Sequence, residues 1–139
     1  MEQNPHVGIA KGRYGFTKES SLVAFLENLD FLTAFDEVKD FLLASLGASG
    51  SIYRVNIIKQ IGGFDENIKG SCEDIDAVYR LADAGWVIVR DLAPFYSRGK
   101  GGWKKYWAHL VWHGYGAHYI KHKNKHIFSL SKKLPLWCL

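Results

Sequence analysis

The sequence predicts an α/β layered domain, and three observations carry that prediction. Short β-branched runs such as W-V-I-V-R at 86–90 alternate with segments whose apolar residues keep a helical period. Glycines punctuate the boundaries, at Gly47 and Gly50, at Gly62-Gly63 and at Gly101-Gly102. The chain of 139 residues, 47% hydrophobic and 14% aromatic, is long and apolar enough for one domain with a real core, which excludes disorder.

Taken in order, residues 7–10 read as a short strand, followed by a glycine turn at 12–15. Over 18–45 the positions Leu22, Phe25, Leu26, Leu29, Leu32, Phe35, Val38, Phe41 and Leu42 keep a helical period. They predict one long helix, or two with a break near 30–33. Gly47-Ala48-Ser49-Gly50 ends it, residues 51–55 read as a strand, and 56–61 as a short helix closed by Gly62-Gly63. Ser71 stands three residues before Asp74, which resembles a capping box with Asp in place of Glu. Ile75, Val78, Leu81 and Ala82 then give a helix one apolar face, leaving Asp76 and Asp83 away from it and Tyr79 at its border. Gly85 suits the left-handed residue that ends this helix. Residues 86–90 are a buried strand and 94–96 an edge strand, where proline is tolerated. Gly101-Gly102 opens a long helix over 103–123, with Trp103, Trp107 and Leu110 on one side and Trp112, Tyr115 and Tyr119 on another. Gly114 and Gly116 argue for an interruption within it.

Charge is unevenly placed. Residues 1–91 carry 9 basic and 14 acidic side chains, whereas 92–139 carry 9 basic and none acidic. A basic, aromatic-rich tail behind an acidic body points to an anionic partner, for which a membrane surface, phosphate groups and nucleic acid all qualify. Cys72 and Cys138 make no disulfide framework and no C-x-x-C motif, so a reducing, cytoplasmic setting is the default. Residues 1–10 are polar and lack the apolar segment of a secretory leader, and no run of 18 apolar residues spans a bilayer. The apolar end Leu134-Pro135-Leu136-Trp137-Cys138-Leu139, behind Lys132-Lys133, reads as the first turn of a membrane helix.

The most informative stretch runs from Gly62 to Trp86: G-G-F-D-E, a polar loop, E-D-x-D opening a helix, then R-L-x-x-A-G-W. A carboxylate in the first turn of a helix is favoured by free N–H groups and the helix dipole, and by itself is most often a cap. The whole pattern, however, resembles the acceptor-side half of an inverting family-2 glycosyltransferase of GT-A fold, tightly from 47 to 85 and more loosely outside. The resemblance implies a partial GT-A, Rossmann-like layered fold with a mixed sheet and a long C-terminal amphipathic helix. Residues 1–97 would be the acceptor-side part of the domain, and 98–139 a basic, aromatic helical extension leading towards a membrane.

What the resemblance implies chemically follows residue by residue. Asp74 is the general base that takes the acceptor hydroxyl's proton as that oxygen attacks the anomeric carbon. Glu73 orients the acceptor or tunes its neighbour. Gly47, Ser49 and Gly50 match a small-residue strand that leaves room for a sugar, and Asp76 belongs to the same acceptor site. Arg54 matches a basic residue after that strand, and reads equally well as a surface arginine at a helix start. The parent enzyme would use a divalent cation, Mg or Mn, whose ligands are not in this chain, and no metal ligand is assigned within it. Where the family often has an aromatic–His pair, this chain has Tyr96-Ser97-Arg98, and the processive Q-x-x-R-W is absent. Its partners would be a nucleotide sugar and a sugar or lipid-linked acceptor, with 98–133 against the cytoplasmic face of an anionic membrane; nucleic acid is the weaker candidate. The alternative function is a non-catalytic basic module that binds a membrane surface or nucleic acid.

His109 and His113 are four apart, as are His118, His122 and His126. That spacing holds a metal when a further ligand joins. With lysines interleaved and no acid after Asp91, it otherwise reads as a solvated or interfacial face.

Overall fold

The computed structural model describes residues 2–15, 21–36, 47–96, 99 and 101–123. In chain order these form β1 (Val7–Gly15), α1 (Leu22–Asp36), β2 (Ser51–Tyr53), α2 (Val55–Gln60), α3 (Glu73–Asp83), β3 (Val87–Tyr96) and α4 (Trp103–Lys123). The architecture is α/β with a mixed sheet of order β2-β1-β3 among the described residues. Central β1 runs antiparallel to β2, with Ile9 opposite Tyr53, and parallel to β3, with Ile9 opposite Ile88.

One core holds the layers together. Ile9 and Ile88 from the sheet meet Ile57 of α2, Ile75, Val78 and Leu81 of α3, and Ala117 and Ile120 of α4. Each fully buried aliphatic side chain of this size contributes about 1.5–3 kcal/mol. Because Ala117 and Ile120 share this cluster, α4 is part of the body that carries α3, and an extension only by sequence position.

Several elements differ from the sequence reading, each for a tertiary reason. β1 continues through Gly12 and Gly15 where a turn was expected. A Cβ at Gly12 would lie 2.8 Å from the Ala93 carbonyl oxygen, and one at Gly15 would overlap the Tyr96 ring. These glycines serve close strand approach, not reversal. The runs expected at 86–90 and 94–96 join into one edge strand, β3, which starts at Val87, buries Ile88 but exposes Val87, and carries Pro94 and two register shifts against β1. β2 is shorter than expected, because Arg54 already caps α2. α1 is continuous through 30–33; residues 18–20 and 37–45 of the expected helix lie outside the described residues.

The buried face of α1 is also not its most apolar one. Val23, Ala24, Glu27 and Asn28 point inward, while Leu22 and Leu26 are exposed. Asn28 is admitted because Tyr14 donates a hydrogen bond to its Oδ1 at 2.6 Å. Finally, α4 is unbroken at Gly114 and Gly116. Gly116 is where the helix backbone lies on the loop before α3, since a Cβ there would overlap the Ser71 carbonyl oxygen.

Candidate functional site

Asp74 lies in the first turn of α3, and the local chain aims it at the 47–50 turn. The residue before the helix, Cys72, is left-handed at φ 81° and supplies no side-chain cap, so the expected capping box does not form. Ser71 turns away instead, its hydroxyl 2.6 Å from His113 Nδ1 and 3.3 Å from Cys72 Sγ. The Asp74 carboxylate accepts the Ala48 N–H through Oδ2 and the Ile75 N–H through Oδ1, at 2.5 and 2.8 Å. Two fixed donors orient the carboxylate, yet each oxygen keeps a further lone pair for a ligand proton.

The 47–50 turn is held from three sides. Lys11, on central β1 and only 3% exposed, donates through Nζ to the Gly47 and Ser49 carbonyls at 2.7 and 2.8 Å. Ser51 Oγ donates to Gly47 O at 2.9 Å, and Asp74 holds the Ala48 amide from below. Gly50 must be glycine, because its φ is 67° and a Cβ would overlap the Phe95 ring. The small residues that resembled an acceptor-facing strand therefore form a glycine-hinged turn at the strand's start.

Charge and burial work against each other here. Burial pulls the Lys11 ammonium down to about 8, opposed by the nearby Asp74 carboxylate and reinforced by Arg90. Burial, with Asp74 beside it, pushes the Tyr53 phenol up to about 12 against the opposing pull of Ser51. Burial likewise pushes the Cys72 thiol up to about 11, with the Asp74 and Glu73 charges adding to it. The site thus combines one oriented carboxylate, one buried ammonium and one neutral phenol around a small-residue turn.

Asp74 is brought onto the 47–50 turn through the Ala48 amide, and Glu73 precedes it as the first residue of α3. Arg54 is engaged elsewhere: its guanidinium donates to the Val7 and Asn4 carbonyls at 3.2 and 3.4 Å, fastening the entry to β1. Asp76 corrects the expectation that it lies away from the buried stripe. It is 0% exposed and sits between Arg80 Nε at 2.7 Å and Lys123 Nζ at 2.9 Å. Arg80 also donates to the Ile61 and Gly63 carbonyls, and Lys123 reaches Asp65 at 2.6 Å. This latch ties the G-G-F-D-E loop to α3 and to the end of α4, around an open cavity of about 350 Å³.

Sequence reasoning missed Lys11 and Tyr53. The available signal was a lysine inside the apolar alternation of 7–11, an arrangement that costs free energy unless the ammonium meets fixed acceptors. It also missed the line that runs from Ser71 through His113 and His109 to Glu27. No protein-family model matches this chain, and no curated protein matches it.

Proposed function

We propose that this chain forms the acceptor side of an inverting, family-2-like glycosyltransferase of GT-A fold, with Asp74 as general base. The observation that carries the reading is the placement of Asp74: a helix-start carboxylate, oriented by the Ala48 and Ile75 amides, against a turn of small residues. An acceptor hydroxyl is too weakly acidic to ionise beforehand. Asp74 takes its proton as the oxygen bonds to the anomeric carbon and the nucleoside diphosphate departs from the opposite face. Glu73, beside it in the first turn of α3, would orient the acceptor or tune the base. Lys11 keeps the 47–50 turn in place, and its positive charge offsets the negative charge of the unprotonated base.

The parent activity would need a divalent cation on the diphosphate. The residues present do not fit that role: Asp76, the second acid of the Asp74-Ile75-Asp76 sequence, is committed to Arg80 and Lys123. Among the described residues no helix is long and apolar enough to cross a membrane. The exposed Trp103 and Trp107, with Lys104 and Lys105 beside them, support a cytoplasmic-face contact of α4 with anionic lipid, which would bring a lipid-linked acceptor to the site. They equally suit the alternative, a basic module without catalysis.

Saturation-transfer NMR on the purified chain tests the reading. Sugar acceptors should receive magnetisation from the protein. A chain that transfers to no sugar at any concentration sinks the proposal.

A further inference from the structure

We propose that His109 and His113 form a chelating site for a first-row divalent transition-metal ion, preferring copper(II) and nickel(II) to zinc. The rings stand one turn apart on α4, each half-buried, and their Nε2 atoms face each other at 3.0 Å. The outer nitrogens are both held from neighbouring elements. Ser71 Oγ is 2.6 Å from His113 Nδ1, and Glu27 Oε1 is 3.5 Å from His109 Nδ1. Glu27 is 3% exposed, so this carboxylate is fixed by the α1–α4 contact. An outer nitrogen bonded to a carboxylate or hydroxyl, with the inner nitrogen aimed at a common point, is how metal-ligating imidazoles are oriented and made more basic.

The 3.0 Å separation is that of two imidazoles sharing one N–H···N proton, and it also suits two nitrogens on one ion. Two imidazole nitrogens at about 2.05 Å from one ion stand about 2.9 Å apart at a right angle and about 3.35 Å apart at the tetrahedral angle. The observed 3.0 Å lies near the right-angle value, which square-planar and octahedral ions adopt. An in-line N–H···N bond would place the ring centroids about 5.3 Å apart. They are 4.3 Å apart, so the rings lean together, closer to the roughly 4.7 Å of two imidazoles on one ion.

No group of three or more His, Cys, Asp or Glu side chains converges on a metal among the described residues, so the two imidazoles are the protein ligands we assign. With two nitrogen ligands, affinity follows the general order that places copper and nickel high. The other pair at this spacing, His118 and His122, makes a similar ring contact but is exposed, and no hydrogen bond to a described residue orients either ring. The Trp112 indole stacked on His109 at 5.9 Å further restricts the first pair. The site does not depend on the glycosyl-transfer reading. It lies one hydrogen bond from Ser71, which precedes Cys72 and the first turn of α3.

Calorimetric titration of the purified chain with copper(II), nickel(II) and zinc(II), each alone, tests the site, with electron paramagnetic resonance of the copper form. One ion should bind per chain with a two-nitrogen signature and the affinity order copper, nickel, zinc. His109→Ala and His113→Ala should each weaken binding at least ~10-fold, and Glu27→Gln should weaken it less, by removing the carboxylate charge beside the His109 ring. The His118→Ala/His122→Ala double variant should leave it unchanged. Should His113→Ala fail to fold, selective broadening of the His109 and His113 ring resonances by substoichiometric copper reads the same site in the wild-type chain. Broadening centred on His118 and His122, unchanged affinity in the His109 and His113 variants, or no bound ion at all would overturn the assignment.

Discussion

Gly116 is the point at which α4 rests on the loop leading to Asp74, and substituting alanine there tests that contact. The new Cβ would overlap the Ser71 carbonyl oxygen, with the Ser71 amide nitrogen and carbonyl carbon also in the way, and the backbone atoms cannot rotate aside. The helix must lift. Overpacking of this kind costs about 1–3 kcal/mol. Lifting also strains the Ser71–His113 hydrogen bond, worth about 1 kcal/mol, and partly uncovers the fully buried Ile120. Against this, alanine gains about 1 kcal/mol over glycine inside a helix. The net loss is about 2–3 kcal/mol, or a fall in Tm of roughly 10 °C for a domain of this size. Gly114, two residues earlier on the same helix, faces open space: a Cβ there would meet nothing within 4 Å, so the helical gain acts alone. Gly114→Ala should therefore raise stability by up to about 1 kcal/mol. Urea denaturation followed by circular dichroism measures both. A Gly116→Ala chain as stable as wild type, or a Gly114→Ala chain less stable than Gly116→Ala, refutes the docking of α4 described above.

Two other outcomes follow from the basic helix and its latch. Lys123 holds the Asp65 carboxyl at about 2 in the folded chain against an ordinary 3.8, so as pH falls the unfolded chain takes up that proton first. The latch contributes its full stability above pH 3.8 and loses it as pH falls towards 2; Asp65→Asn should flatten the urea midpoint over that window, and an unchanged acid limb would show that Asp65 plays no part. Trp103, Trp107, Lys104 and Lys105 should carry the chain onto anionic vesicles in flotation, with recovery falling steeply as salt rises. Charge reversal at Lys104 and Lys105 should reduce it, and equal recovery on neutral and anionic vesicles would leave the membrane proposal without support.

Much of the frame was legible because local signals and tertiary packing agree there. α3 starts at Glu73 and closes before Gly85, and α4 runs from Trp103 to Lys123, as periodicity and glycine placement indicate. Agreement failed where a distant segment supplied the partner. Helical period places Asp76 off the apolar stripe, yet Lys123, far along the chain, creates a second buried face for it. In α1 the period marks an apolar face without saying which way it turns; Tyr14 and His109 provide polar partners for Asn28 and Glu27, so those residues face inward. Gly12 and Gly116 read as breaks because local rules see only backbone freedom. In the fold each is a place where another backbone comes too close for a Cβ. Within the candidate site, Asp74 and residues 47–50 were singled out by the family resemblance, whereas Lys11 was not, since its acceptors are carbonyls in that turn.

The general-base assignment is tested most directly by the turnover of Asp74→Asn in the natural polypeptide that carries this chain, with a nucleotide-sugar donor and an acceptor at saturation. Asparagine keeps the size of the side chain and one oxygen for the Ala48 or Ile75 amide, but it cannot take the hydroxyl proton. The variant should stay folded, losing about 1 kcal/mol for the amide bond it cannot make, and keep its donor affinity while kcat falls at least ~10²-fold, the scale of a positioned base. A folded Asp74→Asn enzyme that turns over at close to the wild-type rate would contradict the account.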